Sequence, residues 1–558
     1  MRNNILIFLK VFPVFFFILF IATFGLLRGY FQQDEWMGIA DVMLSYSRPW
    51  WHPYLPWVHF SPIGVFIWST LYKIFHLQAQ YYFLIQLIVH ASCATLVYIL
   101  TLRITKKKAI AFLTGLLFLT NARAHQAFTH LAIFHTTTLA MFFILLFFVF
   151  LSSIKSKVLS FKSTLILTLI FIAAVATREE GFIIIPIAAV YLFCFDKGKI
   201  NKKNIIPLAL FSVGVTAFLG IRMFAQLLNP VPVPLKYQIT GSGAKYNIVT
   251  VPVKFVVQNL IYSERFVLFF IANTQRAYPE IDSFFTSQAP IMDAGFFYVF
   301  SMMAIIFAFW LWRVRPRYIG PMLIFLFTWI FANAFMLSFV GRQLSVIEPR
   351  YLYFSSFPVL CLLSIFLYTV FMSQDKYEII NIAKKIFVIF VLGLLVFSSV
   401  EEIRVAVQRQ IVDGEAKRMI IKSLLTVHPT LSKNTIFYVR CKVECYRNAR
   451  DFGIPNQNVL PFSSGPGMNF LVTYASVQGQ EKEWGQFFTD MFLFNTFSED
   501  YKKIGDRSFG YFVTKSKLEE TLKKHKLSKD IVVALEIDES TYTFRDISEE
   551  FRKNIFQN

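Results

Sequence analysis

Long apolar runs, separated by short clusters of Lys and Arg, constrain this chain more than any other feature of it. A helix needs about 20 apolar residues to cross ~30 Å of hydrocarbon. Within lipid its backbone polar groups must be satisfied inside the segment itself. Composition points the same way: of 558 residues, 56% are hydrophobic and only 16% charged, and 66 are Phe. Soluble domains carry about 25% charged residues, so most of this chain is expected in lipid. The five Cys are too few for a disulfide framework. The net charge of +21 sits mainly in the clusters between apolar runs, which is the positive-inside pattern of a multi-span protein. No soluble segment carries a basic stripe with interleaved aromatics, so nucleic acid is not an expected partner.

The basic clusters also set a parity rule. They are RITKKK (103–108), Lys155/Lys157/Lys162, Lys197/Lys199/Lys202/Lys203, Arg313/Arg315/Arg317 and Lys376/Lys384/Lys385. If each is cytoplasmic, an even number of crossings separates each neighbouring pair. About eleven transmembrane helices satisfy this, at 11–29, 82–102, 109–121, 131–151, 163–177, 181–195, 205–228, 294–312, 318–340, 351–372 and 386–400. The first resembles a signal peptide without a cleavage site and is read as an uncleaved span. Three runs are short for a free crossing and are expected to extend or to sit in a protein-lined wall. Residues 60–76 read as an interfacial helix; residues 256–272 are ambiguous in the same way.

Two domains follow: a transmembrane domain over 1–400 and an extracytoplasmic α/β domain over 401–558. The second shows strand-like runs at 435–441, 531–537 and 542–547 and helical patterns at 415–427 and 515–527. An extracytoplasmic position would permit a Cys441–Cys445 disulfide, although the spacing needs a bend. Cys93, Cys194 and Cys361 read as packing residues.

This topology brings QQDEW (32–36), TREEG (177–181) and EPRYLY (348–353) to one outer face. Asp34 and Glu35 lie in a stretch rich in aromatic residues and poor in other charge. Partial desolvation there would raise a carboxylate's pKa and make it a better base. Arg178 is suited to a carboxylate or phosphate, and Glu179 or Glu180 to a substrate hydroxyl or a cation. Arg350 and Tyr351 open a late span, and an Arg there suits bidentate phosphate recognition. Arg222 is a second such candidate. For each, the plainer reading is a solvated turn or a headgroup anchor. His125, His130 and His135 lie five residues apart, share no helical face and are not expected to bind metal; His130 or His135 could line a substrate. There is no Gly-rich phosphate loop, zinc pair or Ser nucleophile elbow.

In order and sidedness these motifs resemble the GT-C superfamily of integral membrane glycosyltransferases, in the flavour of protein O-mannosyltransferases, aminoarabinose transferases and their TMTC-like relatives. Asp34-Glu35 matches the acidic pair of the first outer loop, and residues 59–78 its second interfacial helix. TREEG matches a later acidic turn, with Arg178 where Lys is frequent. PRYLYFSS (349–356) is similar to the RYLY-type segment. The resemblance implies a multi-pass protein of the cell membrane, of the bacterial inner-membrane kind, with an extracytoplasmic active site. A polyprenyl-phosphate-linked sugar would be the donor, and a glycan, lipid or protein the acceptor. Transfer would be a single inverting displacement with Asp34 as base and Arg350, aided by Arg178 or Arg222, on the leaving phosphate. Paired carboxylates facing a phosphate would allow a divalent cation (Mg or Mn); no metal ligand is assigned. A polytopic transporter or lipid flippase is the alternative, but the span centres are nearly free of charge and the halves do not repeat. A non-catalytic envelope protein is a third reading.

Overall fold

A computed structural model describes residues 2–45, 61–154, 160–195, 216, 220, 251–252, 255–256, 259, 319–338, 349–374, 376–441, 466–489, 499–538 and 541–554. Among these residues it is mostly helical, with one small sheet. The principal helices are α1 (Arg2–Ala22), α2 (Gln33–Ser45), α3 (Pro62–Phe75), α4 (Ala79–Thr105), α5 (Lys108–Leu119), α6 (Leu139–Ser153), α7 (Phe161–Thr177), α8 (Ile184–Phe195), α9 (Ile319–Ser338), α10 (Pro349–Met372), α11 (Glu378–Val427), α12 (Pro466–Gln478), α13 (Lys515–His525) and α14 (Ser548–Asn554).

Among the described residues, five helices are long and apolar enough to cross a membrane, and four shorter apolar helices accompany them. The expected eleven spans are therefore not reproduced as a count, and the segments 205–228 and 294–312 lie outside the described residues. Large apolar side chains stand exposed along α1 and α11, among them Phe17, Ile21, Ile386, Phe390 and Phe397. Water would not tolerate such stripes, and lipid contact explains them. The short α5 is walled by α4 and α10, as its length requires.

Three boundaries differ from expectation. The first span ends at Ala22 rather than 29, because Gly25 takes a left-handed conformation (φ 93°) that a side chain would resist. The run 131–151 is not one regular helix: Phe134–Thr138 forms a turn of wider π type ahead of α6, a feature often found at functional sites. The largest difference is α11. It replaces the expected span 386–400 with a single helix of 50 residues that absorbs the helix expected at 415–427. No Pro interrupts residues 378–427, so nothing forces a break at 400. At 1.5 Å per residue α11 is about 75 Å long, far beyond a bilayer core.

The termini of these helices separate into two ends. At one, Asn4 of α1 donates to Ser153 of α6 (2.6 Å) and accepts from Arg103 of α4. At the other, the residues after α1 meet the turns after α5 and the distal half of α11. There Arg123 pairs with Glu402 at 3.0 Å and Arg28 with Glu415 at 2.5 Å. Arg418 donates to the Gly29 carbonyl (3.2 Å) and lies over the Tyr30 ring (5.3 Å).

Beyond α11 the chain forms β1 (Asn434–Cys441), β2 (Asp500–Ile504), β3 (Arg507–Phe512), β4 (Val532–Asp538) and β5 (Thr543–Asp546), ordered β2-β3-β1-β4-β5. The central pairs β1–β3 and β1–β4 are parallel, and the edge pairs are antiparallel. One sheet face packs Ile436, Tyr438 and Phe512 against α13 and α14 through Leu518, Leu522 and Phe551. The other face carries Phe437 and Phe509 onto α12, where Phe437 stacks on Tyr474 at 5.9 Å. That second face belongs to the same hydrophobic cluster as α2 and the membrane-type helices. Tyr72 of α3 also donates to Glu481, just beyond α12.

Gly414 is where α11 touches the first loop: a Cβ there would stand 2.6 Å from the Tyr30 nitrogen, whereas one on Gly393 would meet nothing. Gly414→Ala is expected to lower the thermal unfolding temperature by the equivalent of about 1–3 kcal/mol, and Gly393→Ala not to lower it. Thermal scans of both in one detergent check this.

Candidate functional site

The site begins with a helix cap. Glu35 is the third residue of α2, and its Oε2 accepts the backbone N–H of Gln32, the residue just before the helix. This is the return half of a capping box. Its Oε1 accepts the Leu131 N–H at 2.7 Å. Glu35 is 1% exposed, so one buried carboxylate ties the first loop to the turn before the π-type segment. Asp34 is the neighbouring residue, in the first turn of the same helix.

Lys417 of α11 closes this corner. It is buried, and its Nζ donates to Gln32 Oε1 at 2.5 Å. Burial pulls its ammonium down from 10.5 to about 8, with Glu35 and Asp413 working the other way. Two turns earlier, Gln410 Nε2 lies 3.1 Å from His130 Nε2. An amide nitrogen can only donate, so the imidazole nitrogen accepts and His130 is neutral. Burial first, then His125, Arg350 and Lys417, lower its pKa to about 3. His125, whose Nδ1 donates to the Ala122 carbonyl, is lowered by burial as well.

The third wall is the turn after α7. Arg178 caps that helix, and its Nε donates to Glu180 Oε2 at 2.7 Å. Its Nη1 donates to Thr137 Oγ1 at 2.6 Å in the π-type turn. Both residues of the ion pair are buried. Burial works against the Arg178 charge, but the Glu180 carboxylate more than offsets this and holds its pKa above the usual value. The guanidinium also lies over the Tyr351 ring at 5.4 Å, and Arg350 approaches the same ring at 5.2 Å. Tyr351 is thus flanked by two cations, a favourable use of its negative ring face. One turn further along α10, Ser356 and Asn121 bond each other (2.8 Å), and both bond Asn259.

The structure therefore gathers Glu35, Arg178, Glu180, Arg350 and Tyr351 at one end of the bundle, with Asp34 on the helix that Glu35 caps. Glu179 is half-buried in the turn beside Glu180. Arg222 and Cys445 lie outside the described residues. Sequence reasoning missed Lys417, Gln410 and Gln32. The signal for the first two was present: Ile403, Val407, Gln410, Gly414, Lys417, Ile421 and Leu424 recur at helical spacing and are all buried, so a Lys and a Gln stand in an otherwise apolar stripe. Among the described residues, no three His, Cys, Asp or Glu side chains are grouped to hold a metal ion. The Glu35 carboxylate is engaged by two main-chain donors and the Glu180 carboxylate by Arg178.

Solved structures provide distant likenesses. The chain is similar to the oligosaccharyltransferase of Archaeoglobus fulgidus. Against that protein tethered to an acceptor peptide containing the NVT sequon, identity is 14% and the TM-score 0.42, over 79% of this chain and 62% of that one. Against ArnT from Cupriavidus metallidurans in the apo state the values are 13% and 0.42, over 76% and 81%. Against the archaeal oligosaccharyltransferase AglB from A. fulgidus, in complex with an inhibitory peptide and a dolichol-phosphate, they are 14% and 0.39, over 79% and 62%. The chain thus spans about 62% of the length of the oligosaccharyltransferase it matches. No family model and no curated protein matches it. The likenesses are distant, and the side chains carry the functional reading.

Two outcomes follow from the buried charges. Glu180→Ala leaves the Arg178 guanidinium buried without its partner and is expected to cost about 3–5 kcal/mol, read as a large drop in thermal unfolding temperature. Lys417 is deprotonated more readily folded than unfolded, so the unfolded chain binds the extra proton between about pH 8 and 10.5. Stability from this group rises with pH across that window. The stability of wild type relative to Lys417→Met should improve from pH 8 to 10.5, measured by unfolding scans of both proteins; a difference independent of pH would refute the assignment.

Proposed function

We propose that the chain is a membrane glycosyltransferase that takes a sugar from a polyprenyl-phosphate-linked donor and delivers it to an acceptor on the extracytoplasmic side. The observation that carries this reading is the gathering of an acid-bearing helix start and a group of cations, two of them buried, at one end of the bundle. Asp34 and Glu35 open α2, Arg350 and Lys417 act on His130, and Arg178 and Arg350 lie at the Tyr351 ring. Separated in sequence by more than three hundred residues, these groups supply the two things the reaction needs, a proton acceptor and positive charge for a leaving phosphate.

In this reading the acceptor hydroxyl oxygen attacks the anomeric carbon as the bond to the donor's phosphate oxygen breaks. Configuration at that carbon inverts. Asp34 takes the hydroxyl proton, and the lipid phosphate leaves with the bonding electron pair. Arg350 and Lys417 stabilise that developing charge, a contribution that is large in a site shielded from water. Glu35 is a positioning residue, since both its oxygens hold main-chain N–H groups. Arg178 is already engaged by Glu180 and Thr137, and its role is to fix Tyr351 and the turn. The positive-inside rule orients the bundle, with Lys106–Lys108 on the cytoplasmic side and the site on the other.

The test is transfer from a labelled polyprenyl-phosphate sugar by purified protein. Asp34→Asn is expected to lower the rate about 10²–10⁴-fold, the usual contribution of a general base, with donor binding retained. Equal rates in the two proteins would remove Asp34 as the base.

A further inference from the structure

A groove of about 380 Å³ lies at the opposite, basic end of the bundle. Lys10, Val11 and Val14 of α1, Tyr98 of α4, and Lys108, Ala109 and Phe112 of α5 line it. The two lysine-bearing helices contribute the same pattern, a Lys followed by apolar residues one and four positions on. Both run away from the basic end. Both lysines line the groove, and on each helix the residue four positions on, Val14 or Phe112, lies one turn deeper, about 6 Å in. Phe15 braces the floor, edge-on to Tyr98 at 6.5 Å and 5.8 Å from Phe112.

We propose that this groove is a binding site for an anionic phospholipid of the inner leaflet, with the phosphate between Lys10 and Lys108 and an acyl chain lying over Val14 and Phe112. Lys10 is six residues beyond Asn4, which marks the basic end through its bonds to Arg103 and Ser153. It is therefore carried about 9 Å along α1 toward the membrane interior. Among the described residues no carboxylate pairs with Lys10 or Lys108, and none lines the groove. A Lys at that depth on a lipid-facing helix snorkels toward the interface, where anionic headgroups supply a counter-charge, and basic pockets between helices on the cytoplasmic side bind such headgroups. Val14 is 49% and Phe112 44% exposed, so the apolar wall is open to a lipid tail. The site is remote from the acid–cation cluster and does not depend on its chemistry.

Native mass spectrometry of the full chain in mild detergent tests this, with dioleoyl phosphatidylglycerol titrated against dioleoyl phosphatidylcholine. Wild type is expected to retain the anionic lipid with a preference on the order of tenfold or more, the size that two interfacial cations confer. The Lys10→Gln/Lys108→Gln pair should lose that preference, and Val14→Trp, which fills the groove, should weaken retention while keeping both charges. Lys106→Gln/Lys107→Gln, which alters neighbouring charges outside the groove, should leave it unchanged. Equal retention of both lipids by wild type would overturn the proposal. So would an equal loss from the two lysine pairs, which would mark a diffuse basic surface rather than a site.

Discussion

One buried carboxylate organises the end of the molecule where the candidate chemistry lies. Glu35 spends one oxygen on its own helix start and the other on Leu131, 96 residues away. A buried carboxylate with two main-chain donors is well satisfied, whereas removing it would strand both N–H groups. Lys417 then reaches the same corner through Gln32. The acidic helix start, the π-type turn and the distal half of α11 are in this way fixed relative to one another before any substrate arrives.

The transmembrane character and several helix positions were legible in the sequence because lipid imposes a simple rule on length and hydropathy. The runs at 82–102, 163–177, 318–340 and 351–372 correspond to α4, α7, α9 and α10 within a few residues. The strands at 435–441, 531–537 and 542–547 correspond to β1, β4 and β5. The hairpin β2–β3 was missed because its run DYKKIGDRSFGYF mixes charges with Gly, and its strand character comes from pairing beside β1 rather than from its own apolar content.

The candidate site was legible in outline and not in role. The sequence shows that acidic and basic groups share an end, but not which are spent on each other. Glu180 looks like a free carboxylate in TREEG, and only its 2.7 Å contact with Arg178 reveals an internal ion pair. Glu35 looks like half of a catalytic pair, and its capping geometry becomes visible once α2 is seen to begin at Gln33. Lys417 was hidden by an assumed domain boundary. With residue 400 taken as the end of the bundle, a Lys beyond it reads as solvated; with α11 continuous, the same Lys lies on the stripe that faces the first loop.

An unbroken α11 also makes the membrane and the sheet parts of one mechanical object. Its first half touches lipid, and its second half holds Lys417 and leads directly into β1. No Pro interrupts this helix to kink it. Rocking its lipid-facing half by ~5° would sweep residues ~40 Å further along by roughly 3–4 Å, using the helical rise of 1.5 Å per residue. Bilayer thickness and lateral pressure thus become variables that the distant acid–cation corner can feel.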